Sequence, residues 1–200
     1  MTPERRRHVA LHEAGHAVAS DLFGMPLEYV SIRPGETFDG ITSGDPHPIP
    51  PGFDASRPVA AQPHEVRAAV ERRILGDLAG DVAARYLAAE PATVRCDPLE
   101  AAEIDRQALT AVGPRTAELV VREEERTEPH ESDEAKAWEL ADAFAGPETG
   151  WRYLEWLRSE ARDLAIRYHP AILRVADALE RSGILTGEQV AALVHPPRGA

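Results

Sequence analysis

The sequence predicts a mainly α-helical domain with a small two- or three-stranded β element after its first helix. Helical periodicity dominates the chain: in the first periodic segment, residues 8–23, apolar residues recur at steps of three and four. A short β-branched segment, Tyr29-Val-Ser-Ile32, predicts a strand, and Ile41-Thr42-Ser43 predicts a second, shorter strand that pairs with it. A chain of 200 residues, 43% of them hydrophobic, can bury a core of its own, so we expect one domain over 1–200.

The remaining elements follow from where proline and glycine interrupt the helical pattern. Six prolines in residues 44–63 predict a loop without a helix. Apolar residues at helical spacing predict a helix over 63–87, broken or kinked near Gly76 and Gly80. Helix start and stop signals predict the later helices, over residues 97–112, 115–126, 132–145, 151–169 and 170–181, with a last short helix capped by Thr186 and Gln189.

Composition and charge exclude several classes of protein. The formal net charge of -12 disfavours nucleic-acid binding, which needs a basic surface. No apolar run approaches the roughly 18 residues of a membrane span, and the first residues do not form a secretory signal. We therefore expect a cytoplasmic protein with neither nucleic acid nor membrane as partner. One cysteine, Cys96, excludes an internal disulfide.

Charge is unevenly spread along the chain. Residues 117–139 carry nine acids and three bases. This composition predicts a solvated helix face and loop, with an acidic docking surface as the alternative. We divide the domain into a metal-binding lobe, residues 1–112, which includes the proline-rich loop, and a C-terminal helical part, residues 113–200.

One motif carries chemistry: His12-Glu13-Ala14-Gly15-His16, inside the first predicted helix. Residues four apart on a helix face the same way, with Cβ atoms about 5–6 Å apart, so both imidazoles can bind one zinc ion at about 2.0–2.1 Å. Glu13 then lies beside the metal, where a general base takes the proton from the attacking water. By chance such a motif would occur only about 0.03 times in a chain of this composition. The motif therefore predicts a helical zincin-type metallopeptidase domain.

The motif does not supply the third zinc ligand. The extension HExxHxxGxxH is absent, because Ala19 and Leu22 stand where its glycine and histidine belong. Glu65 or Glu71, on the following helix, can serve, as a glutamate does in thermolysin-like sites. Asp97 is the rival, since a predicted helix start favours its ionised form. Asp97 can equally be only the helix cap, so the residues alone leave this ligand open.

Several segments together resemble the peptidase domain of the FtsH family, the AAA+ zinc proteases of bacteria and organelles. The similar segments are, in order, His12-Glu-Ala-Gly-His-Ala-Val, Tyr29-Val-Ser-Ile-Arg-Pro-Gly, Gly40-Ile-Thr, Leu78-Ala-Gly-Asp-Val-Ala-Ala84, Cys96-Asp97, Leu173-Arg-Val-Ala-Asp-Ala-Leu-Glu180 and Leu185-Thr-Gly-Glu-Gln189. The similarity covers most of the chain except 44–63 and about 113–148. It departs from the family at Ala84, where the family has an acid, and at Cys96, where it has asparagine.

The resemblance implies a complete active site. It implies that His12, His16 and Asp97 bind zinc. It implies that Glu13 is the catalytic base, and that Gly40-Ile41-Thr42 is a sheet edge along which a substrate peptide lies as an added strand. The expected activity is that of a zinc-dependent metalloendopeptidase, which hydrolyses peptide bonds in extended or unfolded chains.

Substrate delivery and alternatives follow from what the sequence lacks. Because no GxxxxGK[ST] sequence occurs in the 200 residues, we expect this chain by itself to work without ATP. It would cut substrate that arrives extended or that a separate partner delivers; assembly into a homo-oligomer stays open.

Two alternative functions remain. One is a zinc-stabilised binding or regulatory module that has lost catalysis, against which the intact Glu13 argues. Another is hydrolysis of a non-peptide amide or ester by the same site.

Four aromatic residues occur late in the chain at helical spacing. They are Trp138, Trp151, Tyr153 and Trp156. This spacing predicts core or helix-packing positions, with an oligomer contact as the alternative.

Overall fold

The molecule is mainly helical, as predicted, with one small antiparallel sheet. The computed structural model describes residues 1–34, 40–44, 52–54, 56–87 and 133–196. Within them, the helices are α1 (Pro3–Leu22), α2 (His64–Leu87), α3 (Asp133–Ala145), α4 (Gly150–Arg167), α5 (His169–Ser182) and α6 (Gly187–Val194). The strands are β1 (Tyr29–Ser31), β2 (Ile41–Ser43) and β3 (Ile184–Thr186). The predicted helices over 97–112 and 115–126 lie outside the described residues.

The described part of the proline-rich segment contains no α-helix, as predicted. Where residues 44–63 are described, their one regular element is a single 3₁₀ turn, Val59–Ala61. Among the described helices, none joins the length to the apolar character that a crossing of the bilayer requires.

Helix α1 lies at the centre of the fold and packs against α2, α5 and α6. It begins five residues earlier than predicted because Thr2 caps it: the Thr2 hydroxyl accepts a hydrogen bond from the backbone N–H of Arg5 at 3.3 Å. Pro3 occupies the first helical position, where its missing N–H costs nothing. The helix ends before Gly24, whose φ of 65° reverses the chain. The buried side of α1 includes the HExxH motif.

Helices α1 and α2 cross closely at glycines. A Cβ on Gly15 would lie 2.5 Å from the carbonyl oxygen of Ala79, and one on Gly80 would lie 2.3 Å from Nε2 of His16. The predicted break of α2 near Gly76 and Gly80 is wrong, since one helix runs through both positions. Glycine at these positions lets the two helices approach closely. It destabilises a helix by about 1 kcal/mol relative to alanine, which is not enough to end a helix that packs against its neighbours.

The sheet has the order β2-β1-β3, with both pairs antiparallel. In the register, Val30 stands opposite Thr42 on one side and opposite Leu185 on the other. The two predicted strands are confirmed, and the third comes from the far end of the chain. Strand β3 leads directly into α6, whose capping box between Thr186 and Gln189 is present as predicted. Among the described strands, β2 is at an edge of the sheet, and it lies against α1.

The late tryptophans lie on the surface, so their predicted core positions are wrong. Trp138, Trp151 and Trp156 are 45%, 49% and 47% exposed. Helix α4 instead buries Leu154, Leu157 and other small or aliphatic residues. Periodicity identified a helix face but could not show whether that face is covered. Among the four aromatics, only the half-buried Tyr153 packs inward, against Phe144.

Candidate metal centre

Three side chains from two distant helices converge on one point. The Nε2 atoms of His12 and His16, on α1, lie 3.1 Å apart. Oδ2 of Asp133, the first residue of α3, lies 3.3 Å from Nε2 of His12 and 3.1 Å from Nε2 of His16. These atoms form a group that can hold a metal ion.

The spacing of this triangle fits a tetrahedral ion. Ligand atoms bound at about 2.0 Å in tetrahedral geometry are about 3.3 Å from one another. The three measured separations, 3.1–3.3 Å, match that edge length. Two imidazoles and one carboxylate also form a common ligand set for catalytic transition metals, one that leaves a coordination position open. The donor set and its geometry both fit a metal ion.

The Nδ1 atom of each imidazole contacts an oxygen atom of a residue on α2. Nδ1 of His16 lies 2.8 Å from the carbonyl oxygen of Gly76, which can only accept a hydrogen bond, so Nδ1 carries the proton. Nδ1 of His12 lies 3.4 Å from Oδ1 of Asp81. Both partners lie on α2, one turn apart from each other. Contacts of this kind orient ligating histidines and leave the Nε2 lone pair for the metal.

Electrostatics couple the three side chains. Burial alone would lower the pKa of His12, but hydrogen bonds to Asp133 and Asp81 outweigh it and raise that pKa to about 10. The pKa of His16 is also raised: burial opposes this, and Asp133 reverses it. For Asp133, burial acts to raise the pKa, yet hydrogen bonds from both histidines hold it far below its usual range. The raised pKa of His12 and the lowered pKa of Asp133 together favour a protonated imidazole beside an ionised carboxylate.

Glu13, between the two histidines in the chain, is buried, with 5% of its surface exposed. The hydroxyl of Thr42, on β2, donates a hydrogen bond to Oε2 of Glu13 at 2.8 Å. Burial raises the pKa of Glu13, opposed by the nearby histidines and by the Thr42 hydrogen bond. A Cβ on Gly40 would lie 2.8 Å from Oε1 of Glu13, so glycine there lets the chain before β2 pass close to this carboxylate. The carboxylate is thus held between α1 and the edge strand.

The structure brings together most of the predicted site residues that it describes. His12 and His16 meet as expected, and the segment Gly40-Ile41-Thr42 lies beside Glu13 at the sheet edge. Asp97 lies outside the described residues, so its role as a zinc ligand stays a prediction.

The earlier alternatives for the third ligand do not join this group. Glu71 instead accepts a hydrogen bond from the hydroxyl of Tyr153 at 2.7 Å, and Glu65 is exposed in the first turn of α2.

Asp133 is the residue that sequence reasoning missed. It lies in the acidic stretch 117–139, which composition predicted to be solvated, and only its position at a predicted helix start sets it apart. That is the signal that drew attention to Asp97. Many acids in this chain lie near helix starts, so the signal alone does not select one of them.

Comparison with known proteins adds no identity. No protein-family model matches the chain, and no curated protein matches it. The resemblance to FtsH peptidases therefore depends on the short segments quoted above.

Proposed function

We propose that this protein is a zinc-dependent metallopeptidase that hydrolyses peptide bonds in extended or unfolded chains. The observation that carries the proposal is the convergence of His12, His16 and Asp133 at tetrahedral spacing, with the buried carboxylate of Glu13 next to them in the chain. A site that only stabilised the fold would have no use for a buried acid that is not a ligand.

Zinc suits this ligand set. Two imidazole nitrogens and one carboxylate oxygen are its usual partners in catalytic sites, and the fourth position is left for water or substrate. When bound, zinc supplies Lewis acidity and lowers the pKa of its water toward about 7. His12, His16 and Asp133 would hold it, and Asp81 with the carbonyl of Gly76 would orient the two rings.

Glu13 acts as the general base and acid. It takes a proton from the attacking water and later gives it to the departing amine. Its buried position favours this role, since burial raises the pKa of the carboxyl toward the range in which it can exchange a proton near neutral pH. Thr42 holds one carboxylate oxygen, Oε2, which leaves Oε1 to contact the water.

The edge strand β2 suits an extended substrate. Within the described residues, it pairs with β1 on one side, and Thr42 on this strand contacts Glu13. A peptide added along β2 would therefore run past the catalytic carboxylate. This arrangement supports a substrate that arrives as an extended chain.

The direct test is cleavage of casein or a similar unstructured protein by the zinc-loaded chain. We expect fragments to appear, and an excess of 1,10-phenanthroline to prevent them. The Glu13→Gln variant should lose at least about a hundredfold in rate while it still binds one zinc ion per chain. Equal rates for Glu13→Gln and the unaltered protein would exclude Glu13 as the base.

Other results would assign another function. Tight zinc binding with no cleavage of unstructured proteins or short peptides would favour the non-catalytic binding module. Chelator-sensitive hydrolysis confined to small esters or non-peptide amides would favour the third class.

A further inference from the structure

A groove lies between the outer faces of α3 and α4. It is open to solvent and has a volume of about 520 Å³, within the range of ligand-binding clefts. On α4 the lining residues recur at one helical face, and on α3 the lining begins with Glu134, which follows Asp133 directly. The charged and aromatic lining residues are Glu134, Trp138, Glu139, Trp151, Glu155 and Arg158.

The groove combines exposed aromatic rings with negative charge. Trp138 and Trp151 are 45% and 49% exposed, unusual for tryptophan on a surface without a partner. Three glutamates and one arginine line the walls. Arg158 pairs with Glu134 across the groove and with Glu155 on its own helix. No ion pair of Glu139 occurs among the described residues.

The chemistry of the rings favours a guanidinium. The Arg152 guanidinium carbon already lies 5.1 Å from the ring centroid of Trp151, a cation–π contact supplied by the chain itself. Trp138 and Glu139 both line the groove, so a guanidinium from another chain could contact an aromatic ring and a carboxylate there.

We infer that the α3–α4 groove binds an arginine-bearing, partly apolar segment of the polypeptide substrate, outside the residues being cleaved. The inference deepens the proposed function and depends on it for the identity of the bound chain as substrate. The lining of the groove includes Glu134, the residue that follows the candidate metal ligand Asp133 on α3. Trp138 contacts the planar or apolar side chain, and Glu139 pairs with the cation.

Charge favours a basic substrate segment in the groove over two other occupants, a second copy of the chain and the chain's own segment 88–132. A second copy of the chain carries the same net charge of -12, and electrostatic repulsion opposes its approach to an acidic groove. The chain's own segment 88–132 contains eleven acids and five bases, which is not the composition of a basic occupant. A basic polypeptide is attracted both by the net charge of the protein and by the glutamates of the groove.

The test uses two fluorescent 14-residue unstructured peptides, alike except that one has two arginines and the other has two citrullines. Binding is measured by anisotropy with the Glu13→Gln protein, so that nothing is cleaved. We expect the arginine peptide to bind more tightly. Trp138→Ala and Glu139→Lys should each weaken it about fivefold, and Glu139→Lys should not change binding of the citrulline peptide.

Two matched controls lie outside the groove. Trp156→Ala removes a tryptophan of similar exposure, and Glu160→Lys reverses an exposed charge on α4. Both should leave binding of the arginine peptide unchanged. The inference is overturned if the controls weaken binding as much as the groove variants do, or if both peptides bind equally. It is also overturned if acrylamide fails to quench Trp138 in the Trp151→Phe, Trp156→Phe double variant, since the groove would then be covered.

Cleavage is measured separately, so the two failures can be told apart. If the zinc-loaded protein cuts neither casein nor a tetrapeptide but the anisotropy pattern holds, the groove binds basic chains and the peptidase proposal fails. If cleavage occurs but the anisotropy pattern is absent, the peptidase proposal stands and the groove assignment fails.

Discussion

The two histidines of the candidate metal centre are each fixed through one ring nitrogen, and this determines what the other nitrogen can do. The carbonyl of Gly76 requires a proton on Nδ1 of His16, so the neutral ring presents a lone pair at Nε2. The Asp81 carboxylate acts on His12 in the same way. The contacts of both Nδ1 atoms restrict the rotation of the rings, which lowers the side-chain entropy that binding of an ion would cost.

The identity of the third ligand can be decided by two variants. Replacement of Asp133 by asparagine removes a charged ligand atom that lies within 3.3 Å of both Nε2 atoms. We expect Asp133→Asn to weaken zinc binding by more than about a hundredfold, measured by competition with a chromophoric chelator.

Asp97→Asn is the matched variant. If Asp133 is the ligand, Asp97→Asn keeps the zinc affinity of the unaltered protein. The opposite pattern, with affinity lost only in Asp97→Asn, would assign the ligand to the residue that the FtsH resemblance implies.

Thr42 holds the carboxylate of Glu13, the residue that we propose as the general base. Thr42→Val keeps the shape and β propensity of the side chain but removes the donor to Oε2 of Glu13. A hydrogen bond to a buried charged group contributes about 1.5–3 kcal/mol, so kcat should fall roughly ten- to a hundredfold. KM should change little, because the backbone of β2 is unaltered. Steady-state kinetics on a fluorogenic peptide separates the two parameters.

Thr42→Ser is the control for that variant. It keeps the hydroxyl, so most of the lost turnover should return while zinc content stays the same in all three proteins. If Thr42→Val and Thr42→Ser are equally slow, the effect comes from packing of the strand and not from the hydrogen bond.

At the scale of elements, the close crossing of α1 and α2 makes room for the candidate metal ligands. Gly80→Ala would place a Cβ 2.3 Å from Nε2 of His16. The ring would have to shift from the position in which its Nδ1 lies 2.8 Å from the carbonyl oxygen of Gly76. We expect zinc affinity to fall at least about tenfold, although alanine favours the helix by about 1 kcal/mol.

Gly76→Ala, one turn earlier on the same helix, is the control for the crossing. Its Cβ would meet the terminal methyl of Met25 at 2.8 Å, and this flexible side chain can move aside. Zinc affinity should therefore remain close to that of the unaltered protein. A loss as large as that in Gly80→Ala would show that both variants disturb the helix and not the ligand.

The sequence was sufficient for elements whose signals are local. The HExxH motif, the first two strands and the capping box at Thr186 depend on neighbouring residues, and each was placed correctly. The course of α2 through Gly80 was not predicted, because the reason for glycine lies on another helix. Strand β3 and Asp133 were missed for the same reason, since each acts on partners more than 100 positions away.

At the scale of the whole molecule, the candidate metal centre brings together three segments that are distant in the chain. His12 and His16 come from α1, their supports Gly76 and Asp81 from α2, and Asp133 from α3. A metal ion that binds only the folded arrangement stabilises it by mass action, so the melting temperature should rise with zinc concentration. Stability and metal binding are therefore linked, and both depend on pH.

The metal-free protein should lose stability as the pH rises from about 6.5 toward about 10. His12 has an ordinary pKa of 6.5 when unfolded and about 10 when folded, so its stabilising contribution is complete below 6.5 and is lost as the pH rises through 10. Asp133 acts at the other end of the pH range: its lowered pKa makes its stabilising contribution present above pH 3.8 and lost in stronger acid.

Urea unfolding with a chelator present, from pH 5 to 10, measures how the stability of the metal-free protein depends on pH. His12→Gln should flatten the decline above pH 6.5, and saturating zinc should abolish it, because the metal takes the place of the proton and binds more tightly as the pH rises. A metal-free protein whose unfolding free energy changes equally with pH with or without His12 would show that the imidazole is not held by Asp133 and Asp81.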